Sequence, residues 1–474
     1  MERLAGIDAS FLYMETPQVH MQVSFACVFD PSDSPNGYDP AAVMKHVEER
    51  TSCHRVFRRR LARVPFDLAH PLWVDDPDFD VIRHVHRVAL PAPGGPEEFG
   101  AMVGRISSTP LDRAKPLWEI WIIEGLEGGR LGLVLRMHHS VVDGVSGAGL
   151  LMHLFDRSRT TVVPPPPLRM KPDTVPSDLE LVAHGLRSRM KQPVVLARTI
   201  GETVKKATGL FRDQINERRP SGTRPLGAPR TPFNGSVSSR RNLATLRVSF
   251  DDMRQVKNAL GCTVNDVILA TAGGGLRTYL QGIDALPGES LTAACPVSVR
   301  TEAQSLEFNN KVSVLWTSLA TDTDDPIERV ERIHANTLIA KREFQAMGGD
   351  TIQAWAEFAG PRVFNLAVRA YSRQHLADRH RPVHNLVISN VPGPRQSLYL
   401  AGLKLEAVYL TGPVMEGMGL NLTVLSYAGS VDFAFFVDSE LVPDVWDLAR
   451  ATRRAFDELC EAVRAGTELR PTPD

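Results

Sequence analysis

The sequence predicts an α/β protein made of two lobes that are joined by a long crossover. Its 474 residues exceed what one hydrophobic core usually supports. Strand-like and helix-like patterns recur on both sides of a basic, proline-rich segment, so each side is expected to fold around its own core. We therefore predict an N-terminal lobe at 1–155, a crossover at 156–235 and a C-terminal lobe at 236–474.

The N-terminal lobe has three readable patterns. Residues 19–29 alternate loosely between apolar and polar positions, which predicts a strand. Two apolar runs at 117–125 and 131–137 are separated by a glycine-rich turn, so we expect a hairpin that is buried on both faces. The small, apolar segment at 144–155 is predicted to form a helix that follows the hairpin.

The crossover differs in composition from both lobes. Residues 163–167 read VPPPP, which fits neither a helix nor a central strand. Between residues 184 and 230, eleven Lys or Arg residues stand against three acids. We expect one or two amphipathic helices within 177–216, either as a solvated linker or as a surface for anionic lipid head groups or coenzyme A phosphates.

The C-terminal lobe again mixes strands and helices. Strands are predicted at 245–250, 291–300, 311–320, 384–389, 405–411, 420–427 and 430–437. Helices are predicted at 263–281, 326–345, 351–378 and 443–468. The first of these helices is expected to begin at a capping threonine, Thr263.

Composition excludes several classes of protein. Hydrophobic residues make up 43% and charged residues 23%, as in ordinary folded domains, and the net charge of −1 lacks the basic excess of nucleic-acid-binding proteins. The five cysteines are dispersed and form no CxxC pair, which favours a reducing compartment. With neither a signal-peptide pattern nor a long apolar stretch, we expect a cytoplasmic protein whose membrane contacts are peripheral.

The strongest chemical signal is HHSVVDG at 138–144, between the apolar strand and the small-residue helix. A neutral imidazole, with an ordinary pKa near 6.5, accepts a proton at cellular pH, as the activation of an alcohol requires. Asp143 follows four residues after His139, and Gly144 permits a sharp turn or a close approach of substrate. A metal site built from His138, His139 and Asp143 is disfavoured, because adjacent histidines at a strand end point apart.

This motif resembles HHxxxDG, the signature of the coenzyme A-dependent acyltransferases, which include chloramphenicol acetyltransferase, carnitine acyltransferases and peptide-synthetase condensation domains. The resemblance implies two chloramphenicol-acetyltransferase-like α/β sandwich lobes with the active site in a tunnel between them. It also implies that His139 is the general base, that His138 supports it, and that Asp143 is structural and paired with an arginine.

The rest of the chain resembles the bacterial wax ester synthase/acyl-CoA:diacylglycerol acyltransferases. The resembling segments are 7–23, 70–85, PLW at 116–118, 234–241, the ND pair at 265–266, SNVPGP at 389–394 and 412–427. One departure is the run Met-Gln-Val-Ser at 21–24, where that family often has Met-His-Val followed by glycine.

That family resemblance implies transfer of a long-chain acyl group from acyl-CoA to diacylglycerol, and also to long-chain alcohols to form wax esters. It implies no covalent intermediate and no cofactor beyond acyl-CoA as substrate. A peripheral membrane or lipid-droplet surface is the expected place of action. Two alternatives stay open: an acyltransferase with a carrier-protein donor or a polyketide-type acceptor, and a catalytically silent lipid-droplet protein.

Further site candidates have a structural and a functional interpretation each. Trp118 either packs the core or forms a wall of the substrate channel. Asn265 either belongs to a helix cap or lobe packing, or donates to a developing oxyanion. Ser389 and Asn390 either lead into a rigid proline turn or face the thioester oxygen.

Overall fold

The computed structural model describes residues 2–34, 37–142, 144–160, 180, 227–298, 312–347 and 361–468. The helices are α1 (Gly6–Met14), α2 (Pro40–Ser52), α3 (Pro96–Ser107), α4 (Gly144–Leu154), α5 (Phe250–Leu260), α6 (Val264–Gly282), α7 (Pro326–Met347), α8 (Pro361–Arg373) and α9 (Val445–Glu468). Most of the crossover lies outside the described residues, including all of 177–216 except Glu180.

The strands form two large mixed sheets and one small sheet. They are β1 (Glu2–Arg3), β2 (Gln22–Asp30), β3 (Arg59–Ala62), β4 (Leu72–Asp75), β5 (Val85–Ala89), β6 (Trp118–Glu124), β7 (Leu131–His138), β8 (Arg241–Ser249), β9 (Thr292–Ser298), β10 (Val312–Ser318), β11 (Leu386–Pro392), β12 (Tyr399–Leu400), β13 (Leu403–Thr411), β14 (Leu420–Tyr427) and β15 (Ser430–Asp438). The predicted mixture of strands and helices in both lobes is confirmed.

The first large sheet has the strand order β12-β13-β2-β7-β6-β5. Strands β6 and β7 form the predicted antiparallel hairpin, with Trp118 opposite Met137. Every side chain of β7 is buried, because the strand lies between β2 and β6 with apolar packing on both faces. Its carboxyl end, where the two histidines follow, is therefore held in the middle of the sheet.

Strands β12 and β13 lie within the residues predicted for the C-terminal lobe, but they extend the first sheet, which belongs to the N-terminal lobe. β13 pairs antiparallel with β2 over most of its length, from Lys404 opposite Asp30 to Thr411 opposite Ser24. Without that pairing, the apolar β2 would be an exposed sheet edge. At residues 399–411 the chain therefore returns from the second lobe to the first.

The second large sheet has the order β10-β9-β11-β14-β15-β8. Its central strand β11 runs parallel to both β9 and β14, and α6 and α9 pack together beside it in the core of this lobe. Thr263 caps α6 as predicted, because its hydroxyl accepts from the backbone N–H of Asp266. The predicted helix at 351–378 is found at Pro361–Arg373, and its first ten residues lie outside the described part of the chain.

The two lobes share hydrophobic packing at their junction. One cluster combines Met21 and Phe99 of the first lobe with Leu243 and Phe436 of the second. Another brings Val391, at the end of β11, into the core of the first lobe. The ends of β7 and β11 are thereby drawn toward the same region of the molecule.

Within the described ranges, no single helix has both the length and the apolar composition needed to cross a bilayer. Helices α5 and α6 meet that criterion only as a pair, which is bent by 103° at their junction.

Candidate active site

The HH pair is fixed by backbone hydrogen bonds to the strands on either side of it. The N–H of His138 donates to the carbonyl of Leu117 at 3.0 Å, and the N–H of His139 donates to the carbonyl of Met21 at 2.7 Å. These bonds continue the β7 pairing by one residue past the end of the strand. The two imidazoles consequently project from a backbone that has little freedom to shift.

The ring of His139 is half-buried and lies against Phe11 of α1. The ring centroids are 4.2 Å apart and the planes are inclined by only 21°, which is a stacked arrangement. An aromatic face fixes the plane of an imidazole and keeps water from that side of it. The predicted general base is thus held by packing on one face.

His138 is fully buried, and its hydrogen bonds define its tautomer. The backbone N–H of Ser140 donates to Nδ1 at 3.0 Å, and the Ser140 hydroxyl lies 2.7 Å from the same atom. Since Nδ1 accepts, the proton of the neutral ring is on Nε2. Nε2 lies 3.3 Å from a carboxylate oxygen of Glu15.

Glu15 connects His138 to a second charged side chain, Arg113. The Arg113 guanidinium donates to Oε2 from Nη2 at 2.5 Å and from Nε at 3.1 Å. The backbone N–H of Met21 donates to Oε1 at 3.1 Å. Burial raises the pKa of Glu15, but His138 and Arg113 outweigh it and lower that pKa to about 2. The group is a carboxylate throughout the physiological range.

Glu15, Arg113 and Phe11 are site residues that the sequence did not reveal individually. Phe11 contacts His139 and Glu15 contacts His138, whereas Arg113 is linked to the pair through Glu15. Phe11 and Glu15 come from the segment 7–23, which was noted only as a family resemblance. Arg113 is 98 positions from Glu15, so no local pattern joins the two. The available signal was an acid, Glu15, at the end of a largely apolar helical segment.

The remaining part of the motif is described only in part. Gly144 is the first residue of α4, which begins directly after the turn that follows the HH pair. Asp143 and its predicted arginine partner cannot be placed, because Asp143 lies outside the described residues. Their structural roles stay predictions.

Ser389 and Asn390 are brought to the lobe junction by β11. This strand contacts α4, and its next residue, Val391, belongs to the same hydrophobic cluster as Val142 beside the HH turn. Ser389 is half-buried and lies opposite Thr423 of β14. The predicted candidates on β11 thus lie at the same junction as the HH motif.

Asn390 and Asn265, which are 125 positions apart in sequence, meet at one point. The side-chain amide of Asn390 donates to Oδ1 of Asn265 at 3.3 Å. This bond occupies the carbonyl end of the Asn265 side chain and directs its NH₂ group away from Asn390. Two of the predicted binding residues therefore form a connected pair at the start of α6.

The neighbouring acid, Asp266, performs the capping that the sequence suggested for the ND pair. It is fully buried, and its carboxylate accepts from the Thr263 hydroxyl, His334 Nδ1 and the Thr337 hydroxyl at 2.7–2.8 Å. Burial raises the pKa of Asp266, but the hydrogen bonds from His334 and Thr263 lower it overall. Asn265 makes none of these capping contacts, so the two residues of the pair have separate roles.

Trp118 makes the contacts of a core side chain. It is 1% exposed, and its indole N–H donates to the carbonyl of Phe57 at 2.7 Å. The indole also stacks on His84, with centroids 4.5 Å apart. Its second predicted role, as a wall of the substrate channel, stays a prediction.

A groove of about 670 Å³ opens on the second lobe next to Asn390. Its lining includes the proline turn after β11, the start of α6 and two exposed arginines, Arg254 and Arg395. Arginine side chains bind phosphate groups well because their guanidinium donors match the phosphate oxygens. The groove can therefore hold a ligand that carries anionic groups.

No cluster of three or more His, Cys, Asp or Glu side chains suited to a metal ion occurs among the residues that the structure describes.

Known families match both halves of the chain. Residues 4–268 match the wax ester synthase/diacylglycerol acyltransferase catalytic domain, and residues 308–460 match the WS/DGAT C-terminal domain. A Mycobacterium tuberculosis protein provisionally named a diacylglycerol O-acyltransferase is 36% identical over 97% of this chain and 90% of its own length. The O-acyltransferase WSD of Acinetobacter baylyi is 31% identical over 94% of each chain.

Solved structures show the same architecture. The wax ester synthase/diacylglycerol acyltransferase of Marinobacter aquaeolei VT8 superposes with a TM-score of 0.70 at 27% identity, covering 97% of this chain and 99% of its own. A starter condensation domain of rhizomide synthetase, solved with C8-CoA and Leu-SNAC, has a TM-score of 0.55 at 13% identity over 98% and 94% of the two chains, which shows the fold alone. These likenesses confirm the predicted two-lobed acyltransferase fold.

Both family matches, the extent of the identities and the position of the HH pair at the lobe junction lead to one conclusion: the chain belongs to the wax ester synthase/diacylglycerol acyltransferase family and is an acyltransferase.

Proposed function

We propose that this enzyme transfers a long-chain acyl group from acyl-CoA to diacylglycerol, forming triacylglycerol, and that long-chain alcohols are a second class of acceptor, forming wax esters. The relatives' names supply the acceptor classes. The observation that carries the proposal is the geometry of the HH pair. His139 is fixed at the end of a central strand and stacked on Phe11, as a positioned base requires.

In the proposed reaction, the imidazole of His139 takes the proton of the acceptor hydroxyl as its oxygen attacks the thioester carbonyl. The tetrahedral intermediate then expels the coenzyme A thiolate, which takes the proton from the imidazolium. The ester and free coenzyme A leave, and His139 is neutral again. His138 serves the base indirectly, because its bonds to Ser140 and Glu15 hold the strand end from which His139 projects.

We assign the oxyanion contact to Asn265. Its Oδ1 accepts from Asn390, so its NH₂ group is directed away from that residue. A preoriented amide donor is the kind of group that stabilises a developing oxyanion. In this assignment Asn390 is a positioning residue, and Ser389 lies one position earlier on the same strand.

The groove beside Asn390 is the proposed path of the coenzyme A moiety. Arg254 and Arg395 would meet its phosphates, and the thioester end would point toward the lobe junction. The acyl chain needs an apolar channel, since burying each methylene gains about 0.8 kcal/mol. We further propose that the enzyme acts in the cytoplasm, at the surface of membranes or lipid droplets.

The test is turnover of radiolabelled palmitoyl-CoA with diacylglycerol and hexadecanol offered separately. The wild type is expected to form triacylglycerol and, with the alcohol, wax ester. His139→Ala should lower kcat by roughly 10²–10⁴-fold, the range that general-base catalysis covers. The matched control is His375→Asn, which changes an exposed histidine in a left-handed turn that asparagine tolerates.

Two results would contradict the proposal. Full activity of the variant His139→Ala would exclude His139 as the base. A folded wild type that is inactive on both acceptors would favour a carrier-protein donor, a polyketide-type acceptor or a silent lipid-droplet protein.

A further inference from the structure

An aromatic side chain is exposed at the loop between β3 and β4. Phe66 is 70% exposed, although Val64 and Ala69 on either side of it are buried. Phe66 and Asp67 both have left-handed backbone conformations, with φ of 59° and 49°. Two consecutive residues of this kind, neither of them glycine, are conformationally costly. The loop thus has a strained backbone conformation at the position where Phe66 is exposed to solvent.

A second exposed apolar side chain lies on α8. Leu366 is 71% exposed, whereas Phe364 of the same helix packs against the core of the first lobe. Arg369 and Arg373 follow Leu366 at spacings of three and seven residues, so all three share one helix face. Both arginines are exposed, and neither has an ion-pair partner among the residues that the structure describes.

The loop and α8 are joined through one residue, Tyr13 at the end of α1. The Tyr13 hydroxyl lies 2.9 Å from Nδ1 of His70, which belongs to the β3–β4 loop. The carbonyl oxygen of Tyr13 accepts from the side-chain amide of Asn365 on α8 at 3.0 Å. Phe66 and Leu366 are therefore carried by two segments that flank the same end of α1.

We propose that Phe66, Leu366, Arg369 and Arg373 form a docking face for an anionic lipid surface. Exposed aromatic and leucine side chains enter the boundary between head groups and acyl chains, and nearby cations bind the anionic head groups. In the same loop, exposed Arg63 offsets the charge of exposed Asp67, so Arg369 and Arg373 leave the face with net positive charge. Because this face is cationic, it attracts an anionic lipid surface and repels a second copy of itself.

The position of α1 gives this face a purpose. Its outer end, at Tyr13, is bracketed by the docking face, and Phe11, two residues earlier, stacks on His139. A lipid acceptor or acyl chain that leaves the bilayer there is one helix away from the base. This purpose rests on the proposed function, whereas binding to lipid does not.

The experiment is flotation of the full-length protein with vesicles of phosphatidylcholine alone or with about one third phosphatidylglycerol. The double variant Phe66→Asn and Leu366→Gln keeps the backbone preferences of both positions and is expected to bind both kinds of vesicle at least about tenfold more weakly. The variant Arg369→Gln and Arg373→Gln should lose affinity only for the anionic vesicles, and salt should remove that difference.

Matched controls come from the second lobe. Ile283→Gln changes an apolar side chain that is 46% exposed at the end of α6. Arg454→Gln removes an exposed arginine of α9 that has no ion-pair partner within the described part of the chain. Neither should change vesicle binding. The proposal is overturned if the docking-face variants bind like these controls, or if light scattering shows that they convert a dimer to a monomer while vesicle binding is unchanged. No turnover is measured, so these results are independent of the acceptor assignment.

Discussion

The ring of Phe11 lies flat against the imidazole of His139, with centroids 4.2 Å apart. This contact joins the first helix of the chain to the end of the central strand that carries the proposed base. It implies that the rotamer of His139 depends on a side chain 128 positions earlier in the sequence.

Phe11→Ala should therefore lower kcat by about tenfold and leave KM for acyl-CoA nearly unchanged, because a loosened base is misplaced without loss of substrate contacts. Phe11→Tyr preserves the stacked ring and should retain most of the activity. Steady-state kinetics of both variants, with circular dichroism to confirm folding, check this expectation. Equal activity of Phe11→Ala and wild type would show that the stack does not position the base.

Glu15→Gln should destabilise the fold by about 3 kcal/mol near neutral pH, because it removes a buried carboxylate that His138 and Arg113 stabilise. The folded pKa of Glu15 is lowered to about 2 from 4.5. Its stabilisation is therefore complete above about pH 4.5 and is lost as the pH falls toward 2.

The free energy of unfolding, measured in urea at about pH 7 and about pH 4, should show the gap between wild type and Glu15→Gln shrinking on acidification. The exposed Glu461→Gln on α9 serves as control and should show little gap at either pH. A gap that widens at acidic pH would contradict the ion-pair interpretation.

Substitutions of the adjacent residues Asn265 and Asp266 should have different effects, the first on kcat and the second on stability. Asn265→Ala is expected to lower kcat by about 10²-fold, as for a lost oxyanion donor, with little change in stability. Asp266→Asn should lower the free energy of unfolding by about 2 kcal/mol or more, because the cap and the bonds to His334 and Thr337 weaken together. Thermal unfolding and kinetics of both variants decide; an unstable Asn265→Ala with normal kcat would make that residue structural.

Trp118→Phe should act on stability alone. It removes the hydrogen bond to Phe57 and part of the stacking on His84, for a loss of about 2 kcal/mol. The kcat values for acyl-CoA donors of increasing chain length are expected to keep their wild-type order. A shifted chain-length preference would instead support the channel-wall interpretation.

The features that could be predicted from the sequence are local ones. The β6–β7 hairpin follows from two apolar runs around a glycine turn, and the cap of α6 follows from Thr263 three residues before Asp266. The HH motif was equally visible, because a strand, two histidines and a small-residue helix are contiguous in the chain.

The features that could not be predicted depend on contacts between distant segments. Glu15 and Arg113 are each ordinary charged residues until the fold places Glu15 between Arg113 and His138. Likewise, the pattern of 405–411 predicts a strand but contains nothing that assigns it to the sheet of the other lobe. Pairing of this kind is decided by the edge that β2 leaves open.

The pairing of β13 with β2 also constrains how the protein is made. During synthesis, the first sheet cannot be completed until residue 411 has left the ribosome, long after its other strands have emerged. Until then β2 presents an unpaired apolar edge, which is where nascent chains associate wrongly. A separately expressed N-terminal half should consequently aggregate. Adding a fragment that contains β13 should restore it to solution. The two halves of this enzyme are thus obligate partners in folding before they are partners in catalysis.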